Sequence, residues 1–249
     1  MKFKFVSFIF AICLCFFSCS SALNNSEQKA QAETIRNLGE AYLAAGNPTL
    51  AIRELLKADS MLPNDPYTQN GLGLAYLSRG IIDKSIFHFK KAIELKPEYA
   101  PAINNLGTAY LAEGNWDMAI ETLTPLTKNI LYATPHFAES NIAYAFLNKR
   151  DFLRAEKHYK NSLELYPNYI TALRGLCVVY RQTGDYRSSL SSINRAIKYY
   201  PKNGELYLQK ANTLILMGEK EKAKKEFLNA VSFGNDDVVE EAEMALKNI

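Results

Sequence analysis

Apolar residues fall along this chain in two unlike patterns. Near the N-terminus, Phe5 to Phe17 is a 13-residue apolar run broken only by Ser7. Farther on, aromatic and branched residues recur at helical spacing between turns marked by glycine and proline. This second pattern is periodic. Gly46, Gly80 and Gly114 lie 34 residues apart, as do Gly184 and Gly218, and the 70 residues from Gly114 to Gly184 divide into 34 and 36. Pro63 and Pro97 keep the same interval, as do Pro167 and Pro201. Leu38-Gly39, Leu72-Gly73 and Leu106-Gly107 share one phase, with Tyr42, Tyr76 and Tyr110 four residues after each leucine and Tyr180 in the same slot later. Ala58, Ala92, Ala196 and Ala230 mark a further slot.

Each period predicts two antiparallel helices. One slot stays small (Gly39, Gly73, Gly107, Ala143, Cys177, Ala211) so that the two helices approach closely. The glycine after the first helix supplies a left-handed cap, and the proline stands where the second helix stops. A single such pair cannot bury its apolar face, so pairs must stack.

Leu, Gly, Tyr, Ala, aromatic, Ala and Pro in these slots resemble the tetratricopeptide repeat. The resemblance implies an all-α fold, a right-handed superhelical solenoid. Six repeats fit, at 32–65, 66–99, 100–135, 136–169, 170–203 and 204–235. Residues 236–249 read as a last, capping helix: Val238, Ala242, Ala245, Leu246 and Ile249 follow helical spacing, Glu240 and Glu241 suit the first turn, and Lys247 the last. Two repeats depart from the pattern. The fourth has Arg150 in place of the turn glycine. The third is two residues longer and carries Pro125 inside its expected second helix, which should bend or end early there.

The apolar run changes the picture of where such a chain resides. Lys2 and Lys4 precede it, and Ser18, Cys19, Ser20, Ser21 and Ala22 follow, which is the order of a secretory signal peptide. Thirteen residues are short for a membrane span, which needs about 20; an uncleaved anchor is the alternative. Phe16, Phe17, Ser18 and Cys19 resemble the lipobox of bacterial lipoproteins, in which the cysteine is acylated and becomes the mature N-terminus. On that expectation residues 1–18 are a lipoprotein signal peptide, Cys19 carries the lipid, and residues 19–31 are a tether. Several acyl chains hold a protein firmly at a membrane surface, and Ser20 after the cysteine implies the outer membrane, facing the periplasm. The family prefers Leu where Phe16 stands. Cleavage after Ala22, giving an unlipidated exported protein, is the competing outcome.

The charge balance excludes one class of partner. Net charge is +3, and without Lys2 and Lys4 the count is 27 basic against 26 acidic residues. There is no electrostatic footprint for nucleic acid.

Anchor, repeat count and one connector together narrow the family. Leu131-Tyr132-Ala133-Thr134-Pro135 joins the third and fourth repeats, with Asn141, Ala143 and Ala145 after it. This arrangement resembles the type IV pilus biogenesis lipoproteins, the pilotins that help a secretin assemble in the outer membrane. The resemblance implies a non-enzymatic scaffold whose partner is a secretin, promoting its insertion and multimerisation. A different lipid-anchored scaffold for cell-wall or outer-membrane protein assembly is the alternative.

In such solenoids the first helices line the inner face. The slots facing it hold Tyr67, Asn70, Leu74 and Leu77, then Asn104, Thr108 and Leu111, then Phe137, Ser140, Tyr144 and Leu147, then Thr171, Arg174, Val178 and Arg181. This apolar and aromatic surface with interspersed amides suits an amphipathic helix or extended peptide. Arg174 and Arg181, two turns apart, suit an acidic group. Arg36 and Glu40 replace the lysine and asparagine of the carboxylate clamp found in chaperone-binding relatives, so capture of a C-terminal carboxylate is not expected. Nor is a catalytic residue, metal site, cofactor or small-molecule substrate. His88 and His158 fall in one slot two repeats apart, and His136 stands alone. Cys177 fills a core slot and should be inert. Trp116 should pack in the core, and the glycines are helix caps rather than a phosphate loop.

Overall fold

The computed structural model describes residues 26–129 and 131–249; the apolar run, Cys13, Cys15 and Cys19 lie outside them. Every regular element among the described residues is helical. Helix α1 spans residues 26–44, so it begins within the segment assigned to the tether. Then come α2 (Pro48–Met61), α3 (Pro66–Ser78), α4 (Ile82–Leu95), α5 (Ala100–Glu113) and α6 (Trp116–Leu123). A 3-10 turn, Thr124–Lys128, precedes α7 (Pro135–Asn148), α8 (Phe152–Leu165), α9 (Ile170–Gln182), α10 (Tyr186–Tyr199), α11 (Gly204–Leu216), α12 (Lys220–Phe233) and α13 (Asp236–Lys247). These pack pairwise as helix-turn-helix repeats, and the odd-numbered members α1 to α11 are the first helices. The chain divides into two compact parts, the first ending at Ala109 and the second running Tyr110–Ile249.

The turns inside the repeats are made the same way. Gly46, Gly80, Gly114, Gly184 and Gly218 have φ between 70 and 81°, and Arg150 joins them at 59°. A left-handed residue there lets the next N–H reach back five residues, which satisfies a carbonyl the helix end leaves open. Asn47 N donates to the Tyr42 carbonyl at 2.8 Å, Ile81 to Tyr76 at 2.9 Å, Asp151 to Phe146 at 2.9 Å and Glu219 to Leu214 at 3.0 Å. The residue after the left-handed one then opens the second helix. Asp151 accepts from Arg154 N at 3.0 Å and Asp185 from Ser188 N at 3.1 Å, which satisfies an amide left open in the first turn. Arg150 is the exception with a Cβ. The left-handed conformation costs an L-residue about 1 kcal/mol relative to glycine, the low end of the usual range. Arg150→Gly is therefore expected to stabilise the second part by about 1 kcal/mol, read as a higher urea midpoint with unchanged slope.

The small slot does what its spacing predicts. A Cβ built on Gly39 would sit 2.7 Å from Leu55 Cγ, and one on Gly73 2.5 Å from the Phe89 ring. Ala143, Cys177 and Ala211 fill the slot in the second part and are fully buried. Helices α1 and α3 thus lie almost in backbone contact with a large buried side chain of their second helices. Gly175, two residues before the small slot, is a further close approach: its Cβ would lie 2.1 Å from the Tyr159 ring.

The third repeat is irregular where Pro125 requires it. Helix α6 has 8 residues where α4 and α8 have 14. Pro125 has no N–H to continue the ladder, and the backbone tightens into the 3-10 turn with Pro at its start. The connector then folds back: Tyr132 N donates to the Asn129 carbonyl at 3.0 Å, and the Tyr132 side chain is buried while Leu131 is 86% exposed. Pro135 opens α7. At the other end α13 is capped by Asn235, which accepts from Val238 N at 3.3 Å. Its Ala242, Val238, Ala245 and Leu246 pack into a cluster around Leu208, Leu214 and Phe227. In the second part, helices pack on partners one or two places along the chain, as in α7 on α8 and α9.

Candidate functional site

Within each part, the structure sorts the expected groove residues into exposed and buried ones. In the first part, Tyr67 stands at the start of α3, exposed, edge-on to Tyr99 at 5.2 Å between ring centres. Lys96 Nζ donates to its hydroxyl at 2.8 Å, and Arg36 lies over its ring at 5.4 Å. Leu74 and Leu77 are half-buried. Asn70 is buried, and its Oδ1 accepts from Asn105 Nδ2 at 2.9 Å. Thr108 Oγ1 donates to the Asn104 carbonyl at 3.1 Å, while Asn104 Oδ1 is buried with no partner. Arg36 is neutralised by Asp65 at 3.2 Å and Glu40 at 3.8 Å.

In the second part, Phe137 packs against His136 and Tyr169 at 4.3 and 5.4 Å. His136 also stacks on Tyr166 at 5.0 Å, and burial lowers its pKa. Ser140 is buried with its hydroxyl unpaired. Tyr144 is 45% exposed, and Trp116 meets it edge-on at 6.1 Å. Trp116 is half-buried rather than a core residue. It opens the short α6, so its ring reaches across to α7 instead of into the helix pair.

Arg174 and Arg181 share a face of α9 but not an environment. Arg174 pairs with Glu205, whose Oε1 also accepts from Gln209 Nε2 at 3.2 Å. Its Nε remains buried without a partner, as does Gln209 Oε1. Desolvation lowers the Arg174 pKa, but a guanidinium starts so high that it stays charged. Arg181 Nη1 is also buried without a hydrogen-bond partner.

Two adjoining pockets open on this side of the second part, sharing Tyr144, Leu147 and Val178. One, of about 200 Å³, also meets Tyr159, Thr171, Arg174, Gly175 and Gln209. The other, about 290 Å³, is bounded by Asn148, Arg150, Phe152 and Gln182. Arg150, Tyr159 and Gln209 were not among the expected groove residues. Two sequence signals point to them: an arginine in a glycine slot, and Gly175, whose missing side chain leaves room for the Tyr159 ring. Burial pushes the Tyr159 phenol well above its usual range, so it stays protonated.

The remaining chemistry-bearing groups serve packing. His88 Nδ1 bonds Gln69 Oε1 at 2.8 Å and stacks on Tyr76. His158, 70 residues later, bonds Glu139 Oε2 at 2.7 Å and stacks on Phe146. Cys177 is fully buried against Ser189 Oγ at 3.2 Å, and desolvation raises its pKa, which keeps it an unreactive thiol. Among the described residues no group of three His, Cys, Asp or Glu is placed to hold a metal, and no helix is long and apolar enough to cross a membrane.

Comparison with known proteins agrees with this architecture. Models described as TPR repeat or tetratricopeptide repeat match residues 73–114, 140–203 and 204–233, together more than half of the chain. Among solved structures, PilW, described as a widely conserved type IV pilus biogenesis factor, superposes with a TM-score of 0.75 at 17% identity, over 81% of this chain and 92% of that one. The pilF protein of Pseudomonas aeruginosa gives 0.70 at 17% identity, over 82% and 91%. The Cut9–Hcn1 assembly of the APC/C gives 0.74 at 19%, over 87% of this chain and 42% of that one. Identities this low speak to fold alone. Helix pairs at a 34-residue period, left-handed glycine caps and the matching repeat models make the chain a tetratricopeptide repeat protein.

Proposed function

We propose that this protein is a non-enzymatic scaffold, held at the outer membrane by a lipid on Cys19, that assists type IV pilus biogenesis by promoting secretin assembly. The observation that carries this is the likeness to PilW and pilF, which spans about nine-tenths of each of those chains. The irregular joint between the third and fourth repeats, where Pro125 ends α6 and Pro135 opens α7, is the feature of this chain on which the pilotin reading leans. The signal-like run and the Ser18-Cys19 pair support export and anchoring. The first-helix face supports protein binding, because exposed aromatics beside apolar floor residues are what recognition surfaces concentrate.

Deleting the gene is expected to abolish heat-resistant secretin multimers on a denaturing gel, with loss of pili. Normal multimers and normal pili in the deletion strain overturn the pilus reading and leave a scaffold for another envelope assembly. Cys19→Ala is expected to abolish incorporation of a fatty-acid analogue; retained labelling rules out Cys19 as the anchor.

A further inference from the structure

We propose that the pocket pair in the second part binds a protein segment carrying a bulky apolar side chain flanked by carboxylates. The apolar group would enter between Tyr144, Leu147 and Val178, and the carboxylates would meet Arg150 and Arg174. This specifies the partner chemistry and rests on reading the first-helix face as protein-binding.

Charge complementarity is the first argument. Arg150 and Arg174 are the only charged side chains lining the two pockets, one on either side of the shared apolar floor; no carboxylate lines either. Arg154 and Lys149, which neighbour Arg150 in sequence, are engaged by Asp151 and Asp117. No ion pair to Arg150 is found among the described residues. An apolar floor beside the unpaired Arg150, with Arg174 held by Glu205 on the other side, selects an acidic, amphipathic segment over a basic one.

The backbone at Arg150 is a second, independent argument. The five sister turns use glycine at this position, all with positive φ. At Gly46, Gly80, Gly184 and Gly218 nothing lies within 4 Å of a built Cβ. Conformation rather than space therefore makes glycine the easier residue there. Arginine at this turn forgoes that ease and puts a guanidinium at the pocket rim. Strain retained at one member of a repeated set points to a task for the side chain.

Two side chains that line the smaller pocket, Arg174 and Gln209, each keep one polar atom unsatisfied. Arg174 Nε offers a donor and Gln209 Oε1 an acceptor, both buried and both without partners. Glu205 already compensates most of the Arg174 charge. Both unsatisfied atoms are closed off, so a peptide group over α9 and α11 pairs with them only when the two side chains turn outward, and Arg150 is the cation left to meet the carboxylate fully.

The test is an array of 12-residue peptides in a Gly/Ser background, probed with the purified protein. Each has Leu, Phe or Ser at the centre and Glu, Gln or Lys at the flanking positions. Strongest binding is expected for Leu or Phe flanked by Glu, weakening about tenfold when Gln replaces Glu, the size of one charge-assisted hydrogen bond. Arg150→Gly should raise the thermal midpoint and yet weaken the best acidic peptide about tenfold by the same bond; a residue with only a structural role would move the midpoint alone. Val178→Asp, with an unchanged circular dichroism spectrum, should abolish binding.

No peptide above background, a preference for Lys-flanked peptides, or unchanged affinity in Arg150→Gly would overturn the proposal. Complementing the deletion strain separates it from the secretin reading. Normal multimers with the Arg150→Gly/Val178→Asp protein place the secretin on another face and leave the peptide result standing. Normal multimers without any protein overturn the secretin reading alone.

Discussion

Tyr159→Ala is expected to lose about 3–5 kcal/mol of stability, the range for deleting a fully buried aromatic ring. The Tyr159 ring is 2% exposed on α8 and lies against the backbone of Gly175 on α9. Neither helix can collapse into the vacated space without moving as a whole, because Ala172, Leu173 and Leu176 on α9 are themselves buried. Tyr159→Phe keeps the ring and should stay within about 1 kcal/mol of the parent protein, as shape-conserving changes do. Chemical denaturation followed by circular dichroism separates the two. Equal losses in both variants would mean that the hydroxyl, rather than the ring, carries the effect.

The second large effect is in the first part. Phe89 is fully buried on α4 and occupies the space that the missing side chain of Gly73 leaves on α3. Phe89→Ala should cost about 3–5 kcal/mol. Gly73→Ala alone has two opposed terms. Alanine gains about 1 kcal/mol of helix propensity over glycine, and the built Cβ 2.5 Å from the Phe89 ring forces overpacking, worth about 1–3 kcal/mol. Overpacking should win, because Phe89 has no open side to retreat to. The double variant is the decisive measurement. With the ring gone, the Gly73→Ala methyl relieves part of the cavity, so the two costs should fall short of additive by about 1 kcal/mol, as for residues in contact. Strict additivity would show that Gly73 and Phe89 are not coupled.

Much of this architecture is legible in the chain because its signals are local. A left-handed residue stands after the first helix in five turns as glycine with φ of 70–81° and in one as Arg150, and Asn115, Asp151 or Asp185 after it caps the next helix, so most turns can be placed from residue type alone. Pro125 predicts the early end of α6 by removing one donor. The candidate site is less legible because it depends on pairings between repeats. Asn70 and Ser140 occupy slots expected to face the groove, yet both are buried, and Asn70 is engaged by Asn105 from the next first helix. Arg174 and Arg181 read alike, and only Glu205, 31 residues past Arg174, distinguishes them. Glu139 is nearly enclosed because His158 and Asn161 of the following helix satisfy it. No spacing rule within one repeat specifies such partners.

The habit of packing on near neighbours along the chain carries a kinetic consequence. Few long loops must close before contacts form in the second part, so folding belongs to the fast regime of helical proteins, roughly microseconds to milliseconds. Opening follows the same connectivity in reverse. Helix α13 contributes one fully buried residue, Ala242, so it should unzip before α11 and α12 separate. Amide exchange would then be graded, quickest at the carboxyl terminus and slowest around the Tyr159 and Leu173 layer.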